Sequence, residues 1–332
     1  MKLFRRLTAL VLAALLLAAP VLAGASGFSD VPKTHWAYES ICRASELGLI
    51  SGDGKGRFGL RQSVTRAEYA TMLCRLMGWE PLSPERGSFA DNQDPDAWYY
   101  SAIETAAAHG AIPKLGVNAG VKDPLRREEL ASMTVRALGY ATLAGIVQDD
   151  CPFADAAVNR GYITLAYHMG FMNGGTDGSF SPDAPATREQ ATVVLLRVYD
   201  RMHAEIAQLP VSALPEEGTA VWAASISEQS GAVPMEPRAP LETVYAAALK
   251  AGEGGAVVLH TSPYNATTRR ALSADQLERL LADEETRVYR SQRYESSYLI
   301  CRGAVVWFET EEDIAEKVTL CRLLGVGTVY LE

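Results

Sequence analysis

The sequence predicts a mainly α-helical N-terminal part made of three repeats, followed by a smaller α/β domain. The first observation behind this prediction is a constant interval of 61 residues between three arginines, Arg66, Arg127 and Arg188. A fixed period of this size indicates a repeated supersecondary unit. The second observation is that strand-like and helix-like segments alternate after residue 219, which is typical of α/β domains.

Residues 1–25 have the pattern of a secretory signal peptide. Lys2, Arg5 and Arg6 form a basic start, an apolar stretch follows, and small residues before residue 26 offer a cleavage site. The apolar stretch is short for a membrane-spanning helix. We therefore expect a secreted protein with no membrane attachment after cleavage, and an uncleaved anchor is the alternative.

Each repeat is predicted to contain a leading helix, a turn with a short extended piece, and a second helix. In the first repeat these helices are Trp36–Leu47 and Thr65–Met77, and the apolar residues of the second helix are spaced to form one face. One such unit cannot bury both of its apolar helix faces alone. The three repeats are therefore expected to pack together.

The second helix begins with a capping box in two of the repeats. Thr65 with Glu68, and Thr187 with Gln190, have the spacing at which side chains and backbone exchange hydrogen bonds at a helix start. The pattern predicts that the arginine after each threonine is the first residue inside its helix.

The second repeat departs from this pattern, because Arg126 stands where the other two repeats have threonine. Arginine provides no hydroxyl cap. Asp123 precedes Pro124, and proline is favoured at the first position of a helix. Asp123 is therefore the predicted alternative start of this helix.

The three arginines stand at helix N-termini, where the backbone presents free N–H groups and a partial positive charge. A cation at this position is slightly unfavourable for the helix, and capping does not require it. Its recurrence at Arg66, Arg127 and Arg188 indicates that an anion binds nearby. The alternative is an arginine that is solvated or held in a salt bridge.

Several further residues recur in the repeats. They are Phe28, Asp30, Trp36 and Gly52-Asp53-Gly54 in the first repeat, Phe89, Asp91 and Trp98 in the second, and Phe153, Asp155 and Gly174-Gly175-Thr176-Asp177-Gly178 in the third. Together with the arginine helix start, this pattern closely resembles the S-layer homology (SLH) domain. The resemblance covers three consecutive copies, at residues 28–79, 89–140 and 153–204.

The resemblance implies a fold and a partner. In that family three repeats form a pseudo-threefold helical bundle, which binds a secondary cell-wall polymer, typically a pyruvylated polysaccharide attached to Gram-positive-type peptidoglycan. It therefore implies a location in the cell wall or S-layer at the cell surface, where self-association is a further expectation.

The resemblance also implies a site, in which the Thr-Arg helix start holds the acidic ketal and the tryptophan and glycine loop pack on the sugar. The residues nominated as glycan-binding in this way are Arg66, Arg127, Arg188, Trp36, Trp98, Thr65, Thr187, Gly52 and Gly174.

The three sites are not expected to bind equally. The site led by Arg66 is predicted to be the best formed, and the second repeat, without a Gly-Asp-Gly turn, the most eroded. Val158 stands where the third repeat would have its tryptophan. For Trp36 and Trp98 the alternative is a place in the core of the repeats.

Composition excludes some classes of function. Of the 332 residues, 48% are hydrophobic and 21% charged, which excludes a chain that is disordered throughout. The formal net charge of −9 argues against a nucleic-acid partner. An acidic protein can still bind an acidic glycan where its arginines are focused in grooves.

No metal or cofactor is expected. The five cysteines show no Cys-x-x-Cys spacing, and the acidic glycine turns do not match a twelve-residue calcium loop. A disulfide between Cys42 and Cys74 or between Cys301 and Cys321, and buried free thiols, are open alternatives.

Residues 205–219 are predicted to be a linker, and residues 220–332 an α/β domain of unknown role. Its predicted elements are strand Ala220–Ile226, helix Leu241–Lys250, strand Gly255–His260, helix Ser273–Ala282, strands Tyr298–Cys301 and Ala304–Phe308, helix Thr310–Leu324 and strand Thr328–Leu331.

The final segment, Ala304–Glu332, resembles the end of the glycoside hydrolase family 18 barrel. The matching features are Val306-Trp307-Phe308-Glu309, Glu311-Glu312-Asp313, Lys317 and Leu324-Gly325-Val326-Gly327. A full barrel takes about 250 residues, and the family's catalytic run of alternating aspartates does not occur. We interpret the segment as a barrel remnant without chemistry or as a coincidence.

The sequence contains no recognisable catalytic site. Its histidines lack metal-ligand spacing, and no Gly-x-Ser-x-Gly elbow occurs. The carboxylates of Glu309 and Glu311–Asp313 are interpreted as a helix start, and His260 at a strand end is a further candidate for ligand contact. We predict a non-enzymatic wall anchor that displays a C-terminal domain. The alternatives are an envelope glycan hydrolase targeted to the wall, and repeats that have lost binding.

Overall fold

The computed structural model describes residues 27–332 apart from residues 115, 216–218, 224–236, 238 and 292. The predicted signal peptide, residues 1–25, lies outside the described residues. The described chain is mixed α/β, with helices before residue 204 and both helices and strands after it. Within these ranges no helix has the length and apolar character needed to cross a bilayer.

The N-terminal part consists of short helices joined by turns. The leading helices are α1 (Tyr38–Glu46), α3 (Tyr100–Ala108) and α6 (Arg160–His168), and the second helices are α2 (Arg66–Met77), α4 (Arg127–Ala137) and α7 (Arg188–Met202). Helix α5 (Ala141–Ile146) and a 3₁₀ turn at Val147–Asp150 follow α4. The leading helix predicted at Trp36–Leu47 is therefore present but begins at Tyr38.

The predicted capping boxes are confirmed. In α2 the Thr65 hydroxyl accepts a hydrogen bond from the Glu68 N–H, and the Glu68 carboxylate accepts one from the Thr65 N–H. Thr187 and Gln190 form the same pair of bonds in α7. As predicted, the arginine of each repeat is the first residue of its second helix.

The predicted start of α4 at Asp123 is wrong, because this helix begins at Arg127, in register with the other two. The Arg126 N–H donates to Glu129 Oε2 at 2.9 Å, so half of the capping box persists without a hydroxyl. The residues before the helix stay extended, since Pro124 forms a β-bridge with the N-cap of α2.

A closed ring of backbone hydrogen bonds joins the three helix starts. The Leu125 N–H donates to Val64 O at 2.8 Å, Val64 N–H donates to Ala186 O at 3.0 Å, and Ala186 N–H donates to Leu125 O at 2.8 Å. All three side chains are buried. The ring holds the starts of α2, α4 and α7 side by side, and with them the three arginines.

The C-terminal region contains two sheets. β1 (Ala207–Pro210), β9 (Thr328–Leu331), β3 (Ala256–Leu259) and β2 (Ala220–Ala223) form a parallel sheet in that order. β5 (Arg270–Ala271), β4 (Tyr264–Asn265), β8 (Ala304–Phe308), β7 (Ser296–Cys301) and β6 (Arg287–Ser291) form an antiparallel sheet. The helices of this region are α8 (Leu241–Ala251), α9 (Ala274–Leu281) and α10 (Glu311–Leu323).

The α/β character predicted for this region is confirmed, with two corrections. The described part of residues 205–219 is not a free linker, because β1 and a 3₁₀ turn at Val211–Ala213 lie in it and β1 pairs with β9 along its whole length. Strands β4, β5 and β6 were not predicted, since two are very short and β6 is exposed without alternation. The strand predicted at Ala220–Ile226 is β2 as far as Ala223, and its last residues lie outside the described residues.

The resemblance to the end of a glycoside hydrolase family 18 barrel is not confirmed. In the described ranges β8, α10 and β9 follow one another as predicted, but β8 and β9 belong to different sheets. A barrel of that type instead closes eight parallel strands into one sheet. The segment therefore does not have the barrel arrangement that the resemblance implied.

The repeats and the C-terminal region share one hydrophobic core. A single cluster of buried residues continues from Val31 in the first repeat to Val329 in β9. At this junction His168 Nδ1 lies 2.5 Å from the Tyr245 hydroxyl, and Arg201 pairs with Glu253 at 2.7 Å. All five cysteines lie in the described residues and are free, so neither disulfide alternative is formed.

Candidate functional site

Three grooves lie beside the helix starts, and each is lined by residues of all three repeats. Groove 1 is formed by the glycine turn and α2, groove 2 by the corresponding turn and α4, and groove 3 by the corresponding turn and α7; their volumes are about 740, 480 and 180 Å³. The residues contributed by the other two repeats are Trp98 and Arg188 in groove 1, Asn159 and Arg66 in groove 2, and Trp36, Arg127 and Leu130 in groove 3.

In groove 1, Arg188 is held by the first repeat. Its Nη1 lies 2.7 Å from Glu68 Oε1, and its Nη2 donates to the Ser51 carbonyl at 2.8 Å. The guanidinium also lies 5.3 Å from the centre of the Phe58 ring. The same Glu68 side chain accepts from the Thr65 N–H, so one carboxylate both caps a helix and pairs with the arginine of another repeat.

In groove 2, Arg66 is held in the same way by the second repeat. Its Nη2 lies 2.5 Å from Glu129 Oε1, and its Nη1 donates to the carbonyls of Ala119 and Gly120 at 2.9 Å. No tryptophan lines this groove, and Asn159 occupies the corresponding side. Arg188 and Arg66 therefore each form an ion pair with a glutamate of another repeat.

Groove 3 differs, because Gln190 takes the place of the glutamate. Arg127 Nε donates to the Phe180 carbonyl and its Nη2 to the Asn173 carbonyl, both at 2.9 Å. Within the described part of the chain, no carboxylate lies at ion-pair distance from Arg127. Burial lowers the pKa of Arg127, with Asp155 acting in the opposite direction.

Trp36 and Trp98 are exposed, with 63% and 66% of their surface accessible. The alternative that they belong to the core of the repeats is therefore wrong. Each indole instead lies on the side of a groove formed by another repeat, Trp98 in groove 1 and Trp36 in groove 3. Val158, at the corresponding place in the third repeat, is also exposed.

The two nominated glycines pack against their own repeats. A Cβ at Gly52 would lie 2.5 Å from the Arg57 carbonyl and 2.7 Å from the Phe28 ring, and one at Gly174 would lie 2.4 Å from the Phe153 ring. Glycine is therefore required at both positions for the turn to pack on the aromatic ring at the start of the repeat. Gly52 also lines groove 1.

An aspartate in each repeat holds the glycine turn, a role that the sequence analysis did not assign. Asp30 accepts hydrogen bonds from the N–H groups of Phe58, Gly59 and Leu60 at 2.7 to 3.0 Å. Asp91 makes the same three bonds in the second repeat. The recurrence of phenylalanine, any residue and aspartate at the start of each repeat was the available signal.

Each second helix carries a further arginine, nine residues after the arginine at its start. These arginines are Arg75 in groove 1, Arg136 in groove 2 and Arg197 in groove 3. None of the three forms an ion pair within the described residues. Their common interval of 61 residues is visible in the sequence. They were not predicted as site residues, because the capping pattern indicates only the arginines at the helix starts.

Two carboxylates of the C-terminal cluster, Asp313 and Glu309, are buried and form ion pairs. Asp313 is fully buried, completes the capping box of α10 with Thr310, and pairs with Arg290 at 2.9 Å. Glu309 is buried against Lys317 at 2.6 Å. The interpretation of this cluster as a helix start is confirmed for Asp313.

The second C-terminal candidate, His260, also contacts other residues of the protein. It is mostly buried, pairs with the Glu332 carboxylate, and lies beside the Trp222 ring. Across the described residues no cluster of three metal-ligating side chains occurs.

Two segments of the chain, residues 27–70 and 154–192, match the family model of the S-layer homology domain. The chain is 31% identical over 179 residues to an endoglucanase of Bacillus sp. (strain KSM-635), which covers 51% of this chain and 18% of the relative. It is 28% identical over 193 residues to an S-layer protein of Bacillus thuringiensis subsp. finitimus, covering 57% of this chain and 23% of the relative. It is 34% identical over 118 residues to the S-layer protein sap of Bacillus anthracis, covering 36% and 14%. The matched part therefore spans less than a quarter of each of these relatives.

Proposed function

We propose that this SLH domain protein of the cell surface is held there non-covalently by its repeats, which bind an acidic, pyruvylated secondary wall polysaccharide attached to peptidoglycan. The repeats at residues 28–79, 89–140 and 153–204 act as one pseudo-threefold bundle. Residues 220–332 form the domain that the bundle displays. The ring of hydrogen bonds among Val64, Leu125 and Ala186 supports the pseudo-threefold arrangement.

The observation that carries the proposal is the combination of groups in the grooves. An arginine at a helix start, a second arginine and an exposed indole line both groove 1 and groove 3. A guanidinium forms paired, charge-assisted hydrogen bonds with a carboxylate, and a sugar ring presents an apolar face that packs on an aromatic side chain. An acidic sugar has both groups.

The chain is acidic overall, with a formal net charge of −9. This charge does not oppose an acidic ligand where arginines outnumber carboxylates in a groove, because such a groove focuses a positive potential. The surfaces outside the grooves repel the same polymer. Binding is therefore expected to be confined to the grooves and to weaken at high salt.

The relatives include a protein named as an endoglucanase, so a wall-targeted glycan hydrolase is the alternative function. The C-terminal region does not favour it. Paired carboxylates that hydrolyse glycosides must reach the scissile bond, whereas Glu309 and Asp313 are buried in ion pairs. Clearing of a peptidoglycan gel by the purified chain would favour the hydrolase.

The test is cosedimentation of residues 26–332 with Gram-positive sacculi that carry their secondary polymer. We expect binding to native sacculi, and loss of binding to sacculi stripped of the polymer or treated with mild acid to remove the ketals. Trp36→Ala should weaken binding by about tenfold, since it removes a stacking partner. Trp222→Ala, an exposed tryptophan outside the grooves, is the matched control. Equal binding to stripped and native sacculi would refute the proposed function.

A further inference from the structure

The three grooves carry different charge. The charged residues lining groove 1 are three arginines and three carboxylates, and those lining groove 2 are three arginines and two carboxylates. Groove 3 is lined by two arginines, Arg127 and Arg197, and by no acidic residue. The formal charge of the lining therefore rises from zero in groove 1 to +1 in groove 2 and +2 in groove 3.

A single position accounts for one unit of charge in each comparison with groove 3. Glu68, Glu129 and Gln190 occupy the same place in the three second helices, three residues after the N-cap. The two glutamates pair with the arginines of grooves 1 and 2 at 2.7 and 2.5 Å. Gln190 is uncharged, so the arginine of groove 3 has no such partner.

An internal carboxylate competes with a ligand for the same guanidinium. An acidic sugar that binds the helix-start arginine of groove 1 or groove 2 must displace the glutamate or share the guanidinium with it, and the two negative charges then repel each other. In groove 3 the ligand meets no such charge. Groove 3 is also lined by the exposed Trp36. Groove 2, whose lining has the next highest positive charge, has Asn159 on the corresponding side.

The donors of Arg127 are only partly used. A guanidinium has five N–H groups, and the Phe180 and Asn173 carbonyls accept from Nε and Nη2. The Phe180 ring lies 4.8 Å from the guanidinium carbon and supports its face. The carbonyls and the ring therefore orient the group without neutralising it. Arg197 is oriented similarly, by a hydrogen bond from its Nη1 to the Phe171 carbonyl at 3.0 Å.

We infer that groove 3 is the principal anion-binding groove of this chain, that Arg127 and Arg197 receive the carboxylate of one acidic sugar there, and that Trp36 packs on its ring. The inference rests on the proposed function. The volume of about 180 Å³ is small beside the roughly 300–1,000 Å³ of sites that enclose a drug-sized ligand. Groove 3 therefore takes one acidic sugar unit rather than a long stretch of polymer. Arg66 and Arg188 act chiefly as braces between repeats, in contrast to the prediction that the Arg66 site is the best formed.

The test exchanges the glutamate and glutamine between grooves. Gln190→Glu supplies groove 3 with the carboxylate that the other grooves have, and Glu68→Gln removes it from groove 1. Both variants keep the capping box, because Glu68 and Gln190 already cap their helices in the same way. The two substitutions therefore keep the caps and change the charge in opposite directions, and Glu68→Gln also removes the ion pair with Arg188.

Affinity is measured as binding of residues 26–332 to native sacculi, with stripped sacculi as the blank and thermal unfolding as the check on folding. We expect Gln190→Glu to weaken binding by about tenfold or more, the scale of one charge-assisted hydrogen bond. Glu68→Gln should bind at least as tightly as the wild type. Arg127→Ala should lose more affinity than Arg66→Ala.

The outcomes separate the two proposals. A wild-type chain that does not bind native sacculi refutes the proposed function and this inference with it. A wild-type chain that binds, together with a folded Gln190→Glu variant of unchanged affinity, refutes only the assignment of groove 3. Loss of binding in Glu68→Gln would likewise place the principal site in groove 1 and overturn the inference.

Discussion

Asp30 holds the glycine turn of the first repeat in place, and residues of that turn line groove 1. Burial disfavours the charged form of Asp30, but the N–H groups of Phe58, Leu60 and Gly59 stabilise it and lower its pKa overall. The pKa in the folded chain therefore lies below that in the unfolded chain. The contribution of Asp30 to stability is present above the unfolded pKa and is lost as the pH falls through the folded pKa.

We expect Asp30→Asn to lower the free energy of unfolding by about 1–3 kcal/mol at neutral pH, because an amide accepts these three N–H groups less well. The measurement is urea-induced unfolding of the two proteins over a range of pH. The difference between them should narrow as the pH falls below about 4, the ordinary pKa of an aspartate. Asp149→Asn, on an exposed turn, is the control. A difference that stays constant over this range would contradict the proposed role of the carboxylate.

At the scale of elements, the second helices of the three repeats begin at equivalent residues but differ in their N-terminal caps. Thr65 and Thr187 provide both halves of a capping box, whereas α4 has only the bond from the Arg126 N–H to Glu129. All three helices nevertheless begin at the equivalent residue. The ring of backbone bonds and the bridge from Pro124 hold the chain extended up to that point, so the tertiary contacts set the start of α4 without a hydroxyl.

Because the Thr65 hydroxyl is engaged at the helix start, its substitution should act on stability. We expect Thr65→Ala to lower the free energy of unfolding by about 0.5–2 kcal/mol. Thr65→Ser, which keeps the hydroxyl, should stay close to the wild type. Chemical denaturation measures both. Equal stability of the alanine and serine variants would show that the cap contributes nothing in this context.

At the scale of the whole molecule, the C-terminal region is packed on the repeats rather than tethered to them. Helix α7 of the third repeat contacts α10, and the buried cluster continues across the junction. Leu320 and Val329 on the C-terminal side are fully buried. Removing this side would expose an apolar face of the third repeat to water.

We therefore expect a chain ended after residue 204 to unfold at a lower temperature than residues 26–332, because the shared core is cut. Scanning calorimetry should show one cooperative transition for the longer chain. The comparison matters for binding experiments, since affinities measured with the shorter chain would come from repeats of lowered stability. Equal unfolding temperatures, or two separate transitions in the longer chain, would mean that the two parts are independent.

The sequence alone determines the local features of this protein. The capping boxes of α2 and α7 and the order of most C-terminal elements follow from patterns within a few residues, and their signals are therefore local. The equivalence of the three arginines follows from their constant interval of 61 residues. The repeat pattern likewise indicated equivalent positions in the three repeats, including the arginines at the helix starts. The short strands β4 and β5 had no local signal, because their pairing partners define them.

Only the tertiary structure decided what each groove residue does. Arg66 meets its carboxylate at Glu129 and Arg188 meets Glu68, pairs that are distant in sequence and adjacent only when the repeats pack. Packing also decided that Trp36 and Trp98 are exposed rather than buried. The physical reason is that charge neutralisation and burial depend on which residue of another repeat comes within a few ångströms, and a period in the sequence specifies equivalence but not contact.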